Sequence, residues 1–295
     1  MDPLHLKDNI PNNLNRDSVR PDLFCKIRCM YITDFIYNYL EVRRFLQIFR
    51  YNKNHNLFMY RNANDYRNFV PNNYPIELDI FTAPNTTGKF INIRQNQEKY
   101  FRIYFNNSYY STECNYLKEP NIIRKIKIFI LGEIKDFRAL FEDCNTIEYI
   151  KIVKWKRSDI KDLSRMFYKC KSLKYMDLRN MKTENVKTMT SMFYGCSNLQ
   201  TADLSKLDVR NLEDIEGLFY SCSALSTVKM FSFLESSINN INFLFCYCFS
   251  LKTLILKDFW IGNYLSINHV FLGCPAGLIE LFIKKYKCTI DRLFL

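Results

Sequence analysis

The sequence predicts an α+β fold: a solenoid of six repeats, each with one helix and one short strand, preceded by a small helical segment and a β-rich capping module. The first observation is a cysteine that recurs every 26 residues with a phenylalanine three residues before it. The others are two apolar patterns, one on each side of that cysteine. A fixed period of this length is typical of repeat architectures, in which neighbouring units stack to bury their apolar faces. The six cysteines are Cys144, Cys170, Cys196, Cys222, Cys248 and Cys274.

The segment before each cysteine has apolar residues at spacings of three and four. In the second unit these residues are Ile160, Leu163, Met166, Phe167 and Cys170. Such spacing places apolar side chains on one face of a helix, here of about three turns. The sequence therefore predicts one helix in every unit.

The segment after each cysteine follows the pattern L-x-x-L-x-L. In the second unit its apolar positions are Leu173, Met176 and Leu178. Alternation with a period of two across the last positions predicts a short strand. A further apolar residue three positions later, Met181 in this unit, predicts that the chain turns back into the core.

One unit carries a family resemblance. Residues 192–199 read M-F-Y-G-C-S-N-L and residues 202–205 read A-D-L-S. This pattern resembles the BspA-like subclass of leucine-rich repeats, and the resemblance extends over residues 134–285. It implies a leucine-rich-repeat solenoid whose strand face binds another macromolecule. The sixth unit departs from the pattern at Pro275, which is typical of the end of an array.

The front half has two patterns of its own. Apolar residues at helical spacing predict short helices between residues 22 and 60, and residues 32–53 resemble an F-box, although the Leu-Pro pair that opens that motif is missing. Alternating apolar residues then predict strands at 76–80, 90–93, 100–105 and 126–130. We expect the last of these strands to stack directly on the first repeat.

These patterns divide the chain into five parts. They are a poorly ordered tail at 1–21, a short helical segment at 22–70, a β-rich capping module at 71–133, the repeats at 134–285 and a C-terminal cap at 286–295.

The sequence offers little for catalysis or cofactors. The three histidines, His5, His55 and His269, stand in no zinc-protease or catalytic-triad pattern. The regularly spaced cysteines are expected to be packed, reduced thiols, because a column of side chains does not converge on one metal ion. We therefore predict a non-enzymatic protein with no catalytic residue, no metal and no cofactor.

Net charge and hydropathy limit the partners. The chain has a net charge of +12, but residues 188–285 carry 7 basic and 8 acidic side chains. Because the basic excess is confined to the front of the chain, a nucleic-acid partner is disfavoured against a generally basic surface. No stretch is long and apolar enough for a membrane span, and the N-terminus lacks a secretory signal. These features predict a cytoplasmic protein.

The expected binding surface is the outward side of the strands. Two functions remain open: a protein-binding scaffold, or an F-box-type adaptor of a ubiquitin ligase that uses the repeats to recognise substrates. Aromatic and charged residues in adjacent strands are typical of a protein interface. The candidate partner-binding residues are Tyr149, Lys151, Tyr175, Asp177, Arg179, Thr201, Asp203, Thr227 and Lys229.

Overall fold

Strands dominate the computed structural model, which describes residues 75–106, 108, 111–234, 236–257 and 266–286. A 3-10 turn spans Glu98–Tyr100, and the α-helix of the described residues, α1, spans Ala276–Tyr286. The strands are β1 (Ile76–Thr82), β2 (Gly88–Lys89), β3 (Phe101–Phe105), β4 (Ser111–Thr112), β5 (Tyr116–Leu117), β6 (Lys125–Ile130), β7 (Ile147–Trp155), β8 (Tyr175–Asp177), β9 (Thr201–Asp203), β10 (Thr227–Ser232) and β11 (Thr253–Lys257).

A six-stranded mixed sheet joins the front of the described chain to the first two cysteine units. Its strand order is β4-β3-β6-β1-β7-β8, antiparallel except for the parallel pair β7–β8. Alternate residues of β1, such as Ile76, Leu78 and Ile80, are fully buried, as a sheet with one face on the core requires. On the side of the front module, the strand beside β7 is β1, whereas the sequence predicted that the last strand of the module, β6, would lie there.

A second sheet contains the parallel strands β9, β10 and β11 of the next three units. One backbone hydrogen bond connects the two sheets, because the Gln200 N–H donates to the Lys174 carbonyl oxygen at 3.1 Å. A short sheet of β2 and β5 completes the strands.

The predicted α+β solenoid with a helix and a strand in every repeat is wrong. The described part of the chain is mostly β, its strands fall into separate sheets, and no described unit contains a helix followed by a strand. The segment predicted as a helix is a run of turns. In the second unit the N–H groups of Met166 and Cys170 donate to the carbonyls of Leu163 and Phe167, three residues back, at 3.2 and 3.1 Å.

Alternate backbone N–H groups of this segment bond to the next unit. The Leu163 N–H donates to the Thr188 carbonyl at 3.0 Å, and the Phe167 N–H donates to the Met192 carbonyl at 2.9 Å. In a helix both groups would donate to carbonyls four residues earlier in the same segment. The turns recur every two residues, since the Tyr168 N–H also donates to the Arg165 carbonyl at 3.0 Å. The apolar side chains still come at spacings of three and four, as in a helix, so the periodicity alone does not separate the two structures.

Left-handed backbone recurs at two positions of every turn segment. The fifth and the first residue before each cysteine have positive φ, which a helix does not tolerate. The residues are Ala139, Asp143, Arg165, Lys169, Ser191, Gly195, Gly217, Ser221, Phe243, Tyr247, His269 and Gly273.

Replacement of Gly195 distinguishes turns from a helix. Its φ is +68°, and an added Cβ would lie 3.3 Å from the Lys169 Cγ. Gly195→Ala should therefore lower the free energy of unfolding by about 1–2 kcal/mol, the cost of left-handed backbone for an L-residue. In a helix the same change would raise it by about 1 kcal/mol. Urea titration followed by circular dichroism measures the sign, and a stabilised variant would contradict the turns.

The core is a column of stacked phenylalanines with a column of thiols beside it. Neighbouring rings have centroids 5.3 to 5.8 Å apart and planes within 13° of parallel. Each cysteine from the second unit onward donates its S–H to the phenylalanine carbonyl of the preceding unit, as Cys196 does to Phe167 at 3.1 Å. Five of the six cysteines are buried, and Cys274 is partly exposed. The stacked rings are Phe141, Phe167, Phe193, Phe219, Phe245 and Phe271.

Helix α1 covers the end of this column. Its Leu278 and Phe282 are buried, and the Phe282 ring meets Phe271 edge to face with centroids 4.8 Å apart. The predicted tail at 1–21, the helical and F-box-like segment at 22–70 and all but one residue of the predicted cap at 286–295 lie outside the described residues. Within the described residues, no helix has the length and apolar character needed to cross a bilayer.

Candidate protein-binding surface

The strand register brings the candidate residues together in pairs. The residue Arg179 lies just beyond the end of β8, and the other eight face a candidate on a neighbouring parallel strand. Because parallel strands place such residues side by side on one face, the two side chains of each pair are neighbours on the outward surface. The pairs are Tyr149 with Tyr175, Lys151 with Asp177, Thr201 with Thr227 and Asp203 with Lys229. The first two pairs belong to the mixed sheet, and the last two belong to the parallel sheet.

Three aromatic residues form a row across the mixed sheet, which we call the aromatic row: Phe81, Tyr149 and Tyr175. Phe81 of β1 is the register partner of Tyr149, and their rings stack with centroids 5.4 Å apart. Phe81 is 36% exposed and Tyr175 is 44% exposed. The ammonium of Lys125 lies 5.6 Å above the Phe81 ring. The row is thus a partly exposed apolar strip on a regular sheet.

The sequence did not identify Phe81. It directly follows the predicted strand segment 76–80 and lies within β1, which extends to Thr82. Its outward position follows from the alternation of that strand. It was missed because β6, rather than β1, was expected beside the first unit.

A hydrogen bond from Tyr175 fixes the end of the row that faces the parallel sheet. The Tyr175 hydroxyl donates to the Gln200 Oε1 at 2.5 Å, so it reaches from the mixed sheet to the loop before β9. Burial raises the pKa of the Tyr149 hydroxyl, and the carboxylate of Asp177 adds to the rise. The Tyr149 hydroxyl is therefore a neutral hydrogen-bonding group at neutral pH.

The acidic side chains of this face are paired with cations. Arg179 donates from Nε and Nη2 to the two carboxylate oxygens of Asp177 at 2.9 and 2.8 Å. These hydrogen bonds lower the pKa of Asp177, so its carboxylate is ionised at neutral pH. Lys125 lies 2.9 Å from Asp79 in the strand beside β7. Paired charges of this kind orient a partner more than they add affinity.

In the parallel sheet the candidate residues are more loosely arranged. Lys229 Nζ lies 3.7 Å from the Asp203 carboxylate, and both side chains are about half exposed. Thr201 and Thr227 contribute hydroxyl groups without an aromatic neighbour in their row. Among the candidate residues, the aromatic ones therefore lie in the mixed sheet; in the parallel sheet the exposed apolar residue of this face is Ile255, the register partner of Lys229.

The described residues contain no group of three or more His, Cys, Asp or Glu side chains placed to hold a metal ion. In the column of thiols, the five from Cys170 onward donate hydrogen bonds to backbone carbonyls. The geometry that stands out is therefore the aromatic row and the charges beside it.

Comparison with known proteins gives one similarity. Residues 135–260 match the model of a family described as "Mycoplasma protein of unknown function, DUF285", and the match covers less than half of the chain. No curated protein and no solved structure matches the chain. The matched region includes the first five of the regularly spaced cysteines and all nine candidate residues, but not Phe81.

Proposed function

We propose that this chain is a non-enzymatic scaffold that binds another protein through the outward face of its mixed sheet. The observation that carries the proposal is the aromatic row, in which Phe81, Tyr149 and Tyr175 are register partners on neighbouring strands and the rings of Phe81 and Tyr149 stack. Aromatic side chains dominate the energetics of protein interfaces, because they bury a large area at little cost in conformational entropy. The paired charges around the row resemble the polar rim of such an interface.

The cytoplasm, or another reducing compartment, is the location we propose for this scaffold. Support comes from the cysteines, since all eight that the structure describes are free thiols. Persistent free thiols are typical of compartments in which disulfides do not accumulate.

Site-specific cross-linking can identify the partner. A photoreactive phenylalanine analogue at position 175 should capture the partner in cells that express the chain. The matched control is position 116, where Tyr116 is 45% exposed but lies in β5, away from the aromatic row. A protein captured equally from both positions would be a non-specific contact.

With the captured protein purified, a double variant measures the contribution of the row. Tyr149→Ala with Tyr175→Ala should weaken binding at least tenfold, which corresponds to about 1.4 kcal/mol. Calorimetry gives the dissociation constants, and circular dichroism shows that the double variant is folded. Unchanged affinity in a folded variant would place the binding surface elsewhere.

A further inference from the structure

We propose that the partner docks on the aromatic row through an acidic segment in which a carboxylate and an apolar side chain stand two residues apart. This inference rests on the proposed function, because it names the chemistry of the protein that the scaffold binds. Its basis is an asymmetry in how the charges of the mixed sheet are paired.

The carboxylates of the strands around the row all lie in ion pairs. Each carboxylate that β1, β7 and β8 carry lies within 3 Å of a lysine or arginine nitrogen. The ion pairs are Glu77 with Lys127, Asp79 with Lys125, Glu148 with Lys174 and Asp177 with Arg179.

Two cations of the same face have no such partner. Among the described residues, neither Lys151 nor Lys154 of β7 lies in an ion pair. Lys151 is the register partner of Asp79 on one side and of Asp177 on the other, but both carboxylates are bonded to other cations. The face therefore carries more cations than carboxylates, and a carboxylate from outside complements the excess positive charge.

The spacing of Tyr149 and Lys151 along β7 sets the distance between the apolar and the acidic residue of the docking segment. Lys151 follows Tyr149 by two residues on the same side of the strand, a distance of about 7 Å. An extended peptide also repeats its side chains on one face at about 7 Å. A residue with an apolar side chain can lie on the aromatic row while the acidic residue two positions away reaches Lys151.

A nucleic acid fits this face less well than an acidic peptide. Its phosphates would form a continuous line of negative charge, and the same face carries the carboxylates of Asp79 and Asp177 on either side of Lys151. A single carboxylate meets less of that repulsion, because it carries one charge to one ammonium rather than a line of charges across the face.

Two synthetic peptides and the full chain test the proposal. The probe is a 12-residue peptide of three Phe-Ser-Glu-Ser repeats, and its counterpart has glutamine in place of glutamate. We expect the Glu peptide to bind and the Gln peptide to bind at least about tenfold more weakly. The double variant Lys151→Gln, Lys154→Gln should weaken the Glu peptide to a similar extent, and added salt should do the same. Lys182→Gln, at an exposed position outside the strands, is the matched control and should leave binding unchanged.

The outcomes separate this inference from the proposed function. If the tyrosine double variant loses the Glu peptide but the lysine double variant keeps it, the acidic partner is overturned and the docking face stands. Equal affinity for both peptides, or no binding of the Glu peptide at millimolar concentration, also overturns the acidic partner. The last probe is a 12-nucleotide single-stranded RNA. If it binds more tightly than the Glu peptide, and the lysine double variant no longer binds it, the partner is a nucleic acid and the acidic peptide is overturned.

Discussion

The protein is expected to unfold between about pH 9 and pH 11. Burial raises the pKa of all six thiols in the cysteine column, to about 12 for Cys144 and Cys274. In the unfolded chain these thiols lose their protons near pH 9, whereas in the folded chain they keep them. A group whose pKa is raised by folding contributes its full stability below the unfolded pKa and loses that contribution as the pH rises toward the folded pKa.

The size of this effect follows from proton linkage. Each buried thiol costs about 1.4 kcal/mol per pH unit above its unfolded pKa, so six thiols together cost about 8 kcal/mol per pH unit. Domains are stable by about 5–15 kcal/mol in total. One to two pH units above 9 are therefore sufficient to unfold the protein.

Urea titrations at intervals from pH 7.5 to pH 10.5 measure this loss. The matched control is the double variant Cys196→Ala, Cys222→Ala, which should show a slope about one third smaller because two of the six thiols are gone. A free energy of unfolding that stays constant from pH 8 to pH 10.5 would show that the thiols titrate normally in the folded protein.

Phe193→Ala should lower the free energy of unfolding by about 3–5 kcal/mol, the usual cost of truncating a fully buried phenylalanine. Phe193 has no exposed surface, and its ring stacks between Phe167 and Phe219 with centroids 5.5 Å away on either side. Removal of the ring opens a cavity inside the column that neither neighbour can fill, because each is itself fixed in the stack.

An exposed lysine provides the control for this loss. Lys206 lies at the surface. Lys206→Ala should therefore change the free energy of unfolding by less than about 0.5 kcal/mol. Thermal and urea unfolding of the two variants give the comparison. Equal unfolding midpoints would mean that Phe193 is not part of a closely packed column.

The sequence predicted the register of the array but not its local backbone. The period of 26 residues was enough to place Phe193 and Cys196 in the core and to align Tyr149 with Tyr175 on neighbouring strands. A period carries this information because identical positions of stacked units must meet. It carries none about the path of the chain within a unit.

The helix prediction failed because two structures share one apolar pattern. Consecutive four-residue turns and a helix both bring apolar side chains inward at spacings of three and four. The glycines were the signal that separated them, since Gly195 and Gly273 stand directly before the cysteine, where a helix interior would disfavour glycine. In other units Asp143 and Lys169 occupy the same position, and this variation concealed the requirement for positive φ.

The pairing of the front module could not be obtained from the sequence. Several strands there share the same alternation, so pattern alone does not determine which of them lies beside β7. The neighbour of β7 is β1, and this pairing brings Phe81 to Tyr149. The aromatic part of the candidate surface was therefore predicted as two tyrosines and extends in the structure to three aromatic side chains.

The hydrogen bonds between units also restrict how this gene can change in length. A donor such as the Phe167 N–H meets the carbonyl of Met192, and the same pair of positions recurs in the following units. Loss or duplication of one complete block of 26 codons keeps every donor opposite an acceptor and every ring in the column. Loss of a single codon within a unit shifts its backbone donors relative to the acceptors of the next unit and leaves buried backbone groups unpaired. The array can therefore shorten or lengthen by recombination in whole units, whereas small insertions and deletions are tolerated only in the exposed loops.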